Sequence, residues 1–321
     1  MQADVTSVLT QITPTQAGWW PIPQPGLLRL AGRDRLDFLQ RQSTNDVKTL
    51  APGCVLTTLL TSPEGRILDA LTLFIEEDSL IALTLPARAN QTATRLRAQI
   101  FFMDKVTVAD ESDAWVQFDL IGPRAKELLT TLGVRSGPEP GQLIPLSLGG
   151  TRGWALAPEP ILGDRIRLII PGPAQDALMG RWRDSGVAPL DEESYERWRI
   201  AQGVPGPAEL SDRFTPPELG LLSLISMTKG CYTGQEVIAR QINYEKIARR
   251  LVRLHLERPV AAGTAVLSEE GRKVGEITSA TPLPDDGGIA LAVLRKPHFQ
   301  PGTPVSAGGV GGVVMDLFPK R

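Results

Sequence analysis

Residues 54–109 constrain the fold more than any other stretch. An apolar, Thr-rich run over 54–61 meets the turn Ser62-Pro63-Glu64-Gly65, and 67–75 returns as the second arm of a hairpin. Glu77-Asp78-Ser79 turns the chain into a third strand over 80–85. Ala89, Ala93, Leu96 and Ile100 recur at helical spacing and predict a helix over 87–102, after which 106–109 closes the unit as a short strand. Three strands before the first helix break the strand–helix alternation that a doubly wound parallel sheet requires. The order specifies an α+β lobe with an antiparallel sheet. Cys54, among Val55, Leu56, Leu59 and Leu60, reads as a small core residue.

The flanks repeat this style. Residues 26–31 read as a strand and 33–42 as a helix with Leu36, Phe38 and Leu39 inward, ended by Ser43-Thr44-Asn45-Asp46. A strand over 116–121 leads through Gly122-Pro123 into a helix reaching 132, with Pro123 at the tolerated first-turn position. Beyond the linker Ser136-Gly137-Pro138-Glu139-Pro140-Gly141, strands are predicted over 144–148, 154–157 and 165–170 and helices over 173–184 and 191–202, with Gly203 at the C′ position. Residues 204–217, rich in Pro and Gly, should cross the surface in an extended path. Short strands over 251–256, 265–267, 273–279, 289–294 and 313–317 then predict a small antiparallel barrel or sandwich. Gly308-Gly309-Val310-Gly311-Gly312 lacks the following helix and the Lys-Ser/Thr of a phosphate loop, and reads as a turn.

Composition removes several chemistries. The 34 basic and 36 acidic residues give a net charge of −2, so any anion site must be local. Two cysteines, Cys54 and Cys231, cannot ligate an ordinary iron–sulfur cluster within one chain, and they fit a reducing cytoplasm. His255 falls on the polar face of a strand and His298 in a Pro-rich loop, without partners at zinc-ligand spacing or a triad nucleophile nearby. No signal sequence or membrane span is expected.

One segment carries reactive chemistry. In Lys229-Gly230-Cys231-Tyr232-Thr233-Gly234-Gln235-Glu236, Thr233 and Glu236 have capping-box spacing, which predicts a helix starting at Thr233. Cys231 would face the positive end of that helix, with Lys229 near in sequence, and both lower a thiol pKa. A small buried Cys is the alternative.

The same octapeptide, continued by Val237-Ile238-Ala239-Arg240, resembles the signature of the YgfZ family of folate-binding proteins, relatives of the glycine-cleavage T protein (GcvT, an aminomethyltransferase). Phe38-Leu39-Gln40, Thr44-Asn45-Asp46-Val47, Gly65-Arg66-Ile67-Leu68-Asp69, Ile121-Gly122-Pro123, Arg199 to Pro205, Val274 to Ser279 and Ala290-Leu291-Ala292 extend the match over nearly the whole chain. The resemblance implies a GcvT-like three-domain ring of ferredoxin-like α+β lobes and a C-terminal antiparallel β-barrel around a cavity for tetrahydrofolate or a derivative. The corresponding division is a discontinuous core of 1–53 plus 112–248, an inserted lobe of 54–111 and a barrel of 249–321. It further implies a cytoplasmic accessory factor in the assembly or repair of [4Fe–4S] enzymes, including a tRNA-modifying one, without a permanently bound metal. Its partners would be folate, iron–sulfur client enzymes or assembly proteins, and, weakly, tRNA. A folate-dependent aminomethyltransferase and a tRNA-binding adaptor are the alternatives.

The resemblance also supplies site candidates. Cys231 becomes the catalytic candidate, as a transient cluster ligand, a redox thiol or a nucleophile. The folate-binding candidates are Tyr195, with Trp198 as alternative, together with Lys229, Tyr232, Gln235, Arg240 and Asp69. Tyr232 and Gln235 read equally well as fixing the loop, and Asp69 as a strand or turn residue. Between Lys229 and Arg253, Lys229, Arg240, Lys246, Arg249, Arg250 and Arg253 outnumber Glu236 and Glu245, a local patch suited to a folate tail or a phosphate backbone or, equally, a solvated helix face. T proteins carry an Asp-Asp pair whose second Asp serves the transfer, and here Ala70 follows Asp69. Arg167 falls where T proteins place a pterin-binding Glu.

Overall fold

The computed structural model of the protein describes residues 18–148, 150–243 and 247–318. The chain enters through a short strand, β1 (Gly18–Pro21). It then builds a first lobe from β2 (Gly26–Ala31), α1 (Arg35–Gln42), β3 (Leu56–Thr61), β4 (Ile67–Glu76), β5 (Ser79–Thr84), α2 (Ala89–Ala98) and β6 (Thr107–Asp110). These strands form one antiparallel sheet in the order β3-β4-β5-β2-β6. Strand alternation sorts its side chains. Leu28, Leu30, Leu71 and Leu73 meet Phe38 and Leu39 of α1 and Ala93 and Leu96 of α2. Leu27, Phe74, Ile81 and Leu83 point the other way, onto Trp154, Leu156 and Ile169 of a second sheet.

That second sheet comes from β7 (Trp115–Ile121), α3 (Ala125–Thr130), β8 (Leu143–Leu148), β9 (Thr151–Leu156), β10 (Arg165–Pro171) and α4 (Gln175–Asp184). Its order is β8-β9-β10-β7-β1, the first lobe's order repeated element for element, with β1 standing where β6 stands in the first. Gly32 and Gly122, at φ +102° and +99°, turn β2 into α1 and β7 into α3 at equivalent places. Only a residue without Cβ takes that conformation cheaply. Helices cover the outer face of each sheet, and the two inner faces pack on one another.

A longer helix, α5 (Glu192–Gln202), is capped by the Asp191 carboxylate, which accepts from the Ser194 N–H at 2.8 Å. Gly203 ends it at φ +69°, as its sequence position predicts, and a Cβ there would lie 1.9 Å from the Phe318 ring. Residues 204–234 then run to α6 (Gln235–Asn243). The C-terminal unit is a closed antiparallel barrel, β11 (Arg249–Leu256), β12 (Ala265–Leu267), β13 (Lys273–Pro282), β14 (Gly288–Arg295), β15 (Pro304–Ala307) and β16 (Val310–Leu317), in the order β11-β14-β13-β12-β15-β16. Gly308 and Gly309 of the Gly-rich run make the β15–β16 turn, and Val310, Gly311 and Gly312 begin β16. Val252, Leu254 and Leu256 fill the barrel, while Leu251, Leu291 and Val293 face out against Ile200, Ala201 and Leu210. That cluster also takes in Leu59, Ile67 and Ala70, so one core joins all three units.

The structure revises several expectations. The division at residue 53 does not follow the sheets, because β2 lies between β5 and β6 and α1 covers the same lobe. Among the described residues of the earlier segment, only β1 joins the second sheet. Cys54 is exposed, since it follows the Pro52-Gly53 turn ahead of β3 and bridges Gln142 instead of entering the strand. The helix expected over 87–102 stops at Ala98, leaving Phe101 and Phe102 65% and 92% exposed. Strands β1 and β15 have no counterpart in the sequence reading.

Candidate functional site

Between the two lobes lies a cavity of about 330 Å³. The first lobe contributes Ala70 and Leu83 with Thr57, Thr72 and Thr84, the second contributes Trp20, Arg165 and Arg167, and α5 contributes Tyr195. Residues 204–207 and Leu210 close one side. Arg199 and the fully buried Glu209 position that segment. The Arg199 Nη1 donates to the Val204 carbonyl at 2.9 Å and to Glu209 Oε2 at 3.2 Å, while the Gly206 N–H and Ser279 hydroxyl also donate to Glu209, each at 2.7 Å.

The second lobe's side of the cavity is organised around Asp119, fully buried on β7. Arg167 lies opposite it on β10 and donates from Nε and Nη2 to its two oxygens at 2.8 and 3.0 Å. The Tyr195 hydroxyl adds a third donation at 3.2 Å, and Arg165 stands 3.5 Å away. Burial alone would raise the Asp119 pKa, but the charges of Arg165 and Arg167, with the Arg167 and Tyr195 hydrogen bonds, hold it below the ordinary carboxylate value. Tyr195 is pushed up to about 12 by burial and by Asp119. It remains a neutral phenol, stacked on Trp20 with ring centroids 4.9 Å apart and 16° between planes. The Arg165 Nε is shut off from solvent without a hydrogen-bond partner among the described residues. The cavity therefore offers a flat aromatic surface, guanidinium donors and an opposite wall of mixed aliphatic and Thr side chains.

Of the site candidates, Tyr195 alone lines this cavity. Trp198 is core, 2% exposed. Asp69 sits one residue from the cavity wall with its carboxylate engaged. Its Oδ1 accepts from the Ala70 and Leu85 N–H groups at 2.8 and 3.0 Å, and its Oδ2 from the Thr92 hydroxyl at 2.5 Å. Burial raises its pKa to about 6 despite those donors.

The signature segment instead clasps the first lobe. Lys229, 8% exposed, donates from Nζ to the carbonyls of Gln40, Ser43 and Asn45 at 2.6, 2.5 and 2.8 Å. Burial lowers its pKa to about 8. Its Nζ also lies 5.2 Å from the Tyr232 ring centroid, and Tyr232 packs with Ile225 and Ile238. The Thr61 hydroxyl donates to the Thr233 carbonyl at 2.6 Å. Gly234, at φ +82°, lets the chain pass the β3–β4 turn so closely that a Cβ would stand 2.4 Å from the Ser62 carbonyl oxygen. Lys229, Tyr232 and Gly234 hold the loop, and Cys231 is left exposed.

Two expectations change here. The helix starts at Gln235, because Gly234 occupies the turn and Glu236 pairs with Arg240 on the exposed face at 2.8 Å. Thr233 is therefore no cap, and the capping box of this region is Thr215 with Glu218. The basic stretch also dissolves. Lys229 and Arg253 are buried, Arg249 pairs with Glu218 at 2.7 Å, and Arg253 reaches the Ala201 carbonyl and Asp316. Lys246 and Glu245 lie outside the described residues.

Fold and site together define a GcvT-like protein. Residues 11–136 match the GCVT N-terminal domain family, and 249–317 match the CAF17 C-terminal beta-barrel domain family. The crystal structure of glycine cleavage system aminomethyltransferase T from Bartonella henselae superimposes with a TM-score of 0.83 at 20% identity, covering 97% of this chain and 88% of that one. An Arabidopsis thaliana protein, named provisionally as a chloroplastic transferase, is 31% identical across 91% of this chain and 68% of its own length. Aminomethyltransferase from Prosthecochloris aestuarii is 25% identical over 91% of this chain and 83% of its own. The chain belongs to the GcvT-like superfamily.

Proposed function

We propose that the protein binds tetrahydrofolate or a derivative in the central cavity and serves as an accessory factor for iron–sulfur enzymes, with Cys231 as its reacting thiol. The observation that carries the ligand reading is the cavity itself. Its walls suit a flat heterocycle, with the stacked Trp20–Tyr195 pair and Arg165, whose buried Nε faces Asp119 at 3.5 Å without a hydrogen bond among the described residues, opposite Ala70 and Leu83. Folate would lie against these residues, its acceptor oxygens toward the guanidiniums. When bound, it supplies a one-carbon carrier. Ala70 supports a reading apart from aminomethyl transfer, because a methyl group occupies the wall position next to Asp69 where the T-protein pattern places its working carboxylate.

Cys231 stands apart from the cavity lining, so ligand binding and thiol chemistry are separable. Calorimetry with tetrahydrofolate should show Tyr195→Ala binding about tenfold more weakly, the loss of one aromatic contact, and Cys231→Ala binding as wild type. In cells lacking the native factor, Cys231→Ala should fail to restore [4Fe–4S] enzyme activity. Absence of folate binding would remove the ligand assignment, and full rescue by Cys231→Ala would remove the thiol's role. Methylenetetrahydrofolate formed by the purified chain from an aminomethylated carrier protein would replace this reading with a transferase.

A further inference from the structure

A second polar site appears away from the cavity, assembled from residues that no single run of sequence brings together. Arg66 of the β3–β4 turn, Arg213, Arg249 of β11, Lys273 of β13, and Arg295 and Lys296 at the end of β14 line two cavities of about 260 and 820 Å³. Arg249 and Arg295 belong to both walls, so the two cavities adjoin and together make one basic cleft lining. Its six basic side chains face two acidic ones, Glu218 and Glu276. That is an excess of four positive charges on a chain whose net charge is −2.

Part of this cluster is preorganised. The guanidinium carbons of Arg213 and Arg249 sit 5.3 and 5.4 Å from the centroid of the buried Phe214 ring. Glu276 and Glu218 orient the same two arginines, each at 2.7 Å. The exposed side chains of Lys273, Arg295 and Lys296 have no ion pair or hydrogen bond among the described residues. Fixed guanidiniums beside free cations around a concave wall are suited to oxyanions. We propose that this cleft binds the phosphate groups of a polyanion, either a small pyrophosphate-bearing molecule or a phosphodiester backbone laid along both cavities.

The test uses the full chain, a labelled single-stranded oligoribonucleotide read by anisotropy, and inorganic pyrophosphate read by calorimetry. Each single-strand phosphate contact contributes about 0.7 to the slope of log K against log salt. The Lys273→Ala, Arg295→Ala double variant should therefore lower the slope by about 1.4 and bind on the order of 25-fold more weakly at 0.1 M salt. Both side chains are exposed, so the melting temperature should not move, and Lys105→Ala, away from the cleft, should bind as wild type. Pyrophosphate binding that the double variant loses, without oligonucleotide binding, assigns the cleft to a small ligand. Binding of neither probe, or binding that ignores the double variant, overturns the proposal.

Discussion

Asp69→Asn should make the protein more stable at neutral pH, although it alters a fully buried polar residue. The Asp69 carboxylate is buried among two backbone N–H donors and one hydroxyl, and its pKa rises from 3.8 to about 6. A raised acid pKa means that the folded chain keeps, between those values, a proton that the unfolded chain has released. Its contribution to stability is therefore fully present below pH 3.8 and is lost as pH rises through about 6. The interval between those two values corresponds to about 3 kcal/mol. Asn retains the oxygen that accepts from Ala70 and Leu85, and its amide can donate to the Thr92 hydroxyl, which turns its own proton elsewhere. Urea unfolding, followed by circular dichroism from pH 3.5 to 7.5, should show the wild type losing stability relative to the variant across the window and levelling above it. A variant destabilised at neutral pH, or a difference that does not change with pH, would refute the desolvation argument.

Three further outcomes follow from the same geometry. Arg167→Ala leaves Asp119 buried with only Arg165 and Tyr195, and should cost about 3 kcal/mol by thermal melting. Because Asp119's folded pKa is depressed, its stabilisation is present above the unfolded value and lost as pH falls, and the variant should lose it at higher pH. Gly203→Ala combines a left-handed φ with a Cβ 1.9 Å from Phe318, and should abolish soluble expression or lower the melting temperature by about 5 °C or more, roughly 3 kcal/mol or more. Lys229→Met strips three carbonyls of their donor at about 1 kcal/mol each. Hydrogen exchange should then quicken together in residues 40–45 and 226–234, with the barrel unaffected.

The sequence declared local structure well and assembly poorly. The apolar, Thr-rich run over 54–61, its Ser62–Gly65 turn and the return over 67–75 located the β3–β4 hairpin, and Gly203 marked the end of α5, because strand pairing across a short turn and helix termination are decided within a few residues. Thr233 and Glu236 misled for the same reason, since their spacing satisfies a capping box only if both intervening residues are helical, and Gly234 is held left-handed by the β3–β4 turn. Cys231 was correctly placed beside a Lys, but the ammonium turns toward three carbonyls of the first lobe, a contact across more than 180 positions. The cavity was the least legible part. Trp20, Ala70, Arg165 and Tyr195 meet only because the two lobes pack face to face. A signal existed in Asp119, a lone charge within the apolar strand β7, and in Arg165 and Arg167, two residues apart and hence on one face of β10.

Strand β1 pairs with β7 across the entire first lobe, Gly18 opposite Ile121. During synthesis the first lobe is contiguous and can close as it leaves the ribosome, whereas the second must capture a strand made before it. Trp19 waits longer still, for Trp182 on α4. Trp20 arrives with the same strand, so the cavity is finished only when this early strand returns. A truncation removing residues 18–21 would keep every helix intact while baring the edge of β7, and its first symptom would be aggregation.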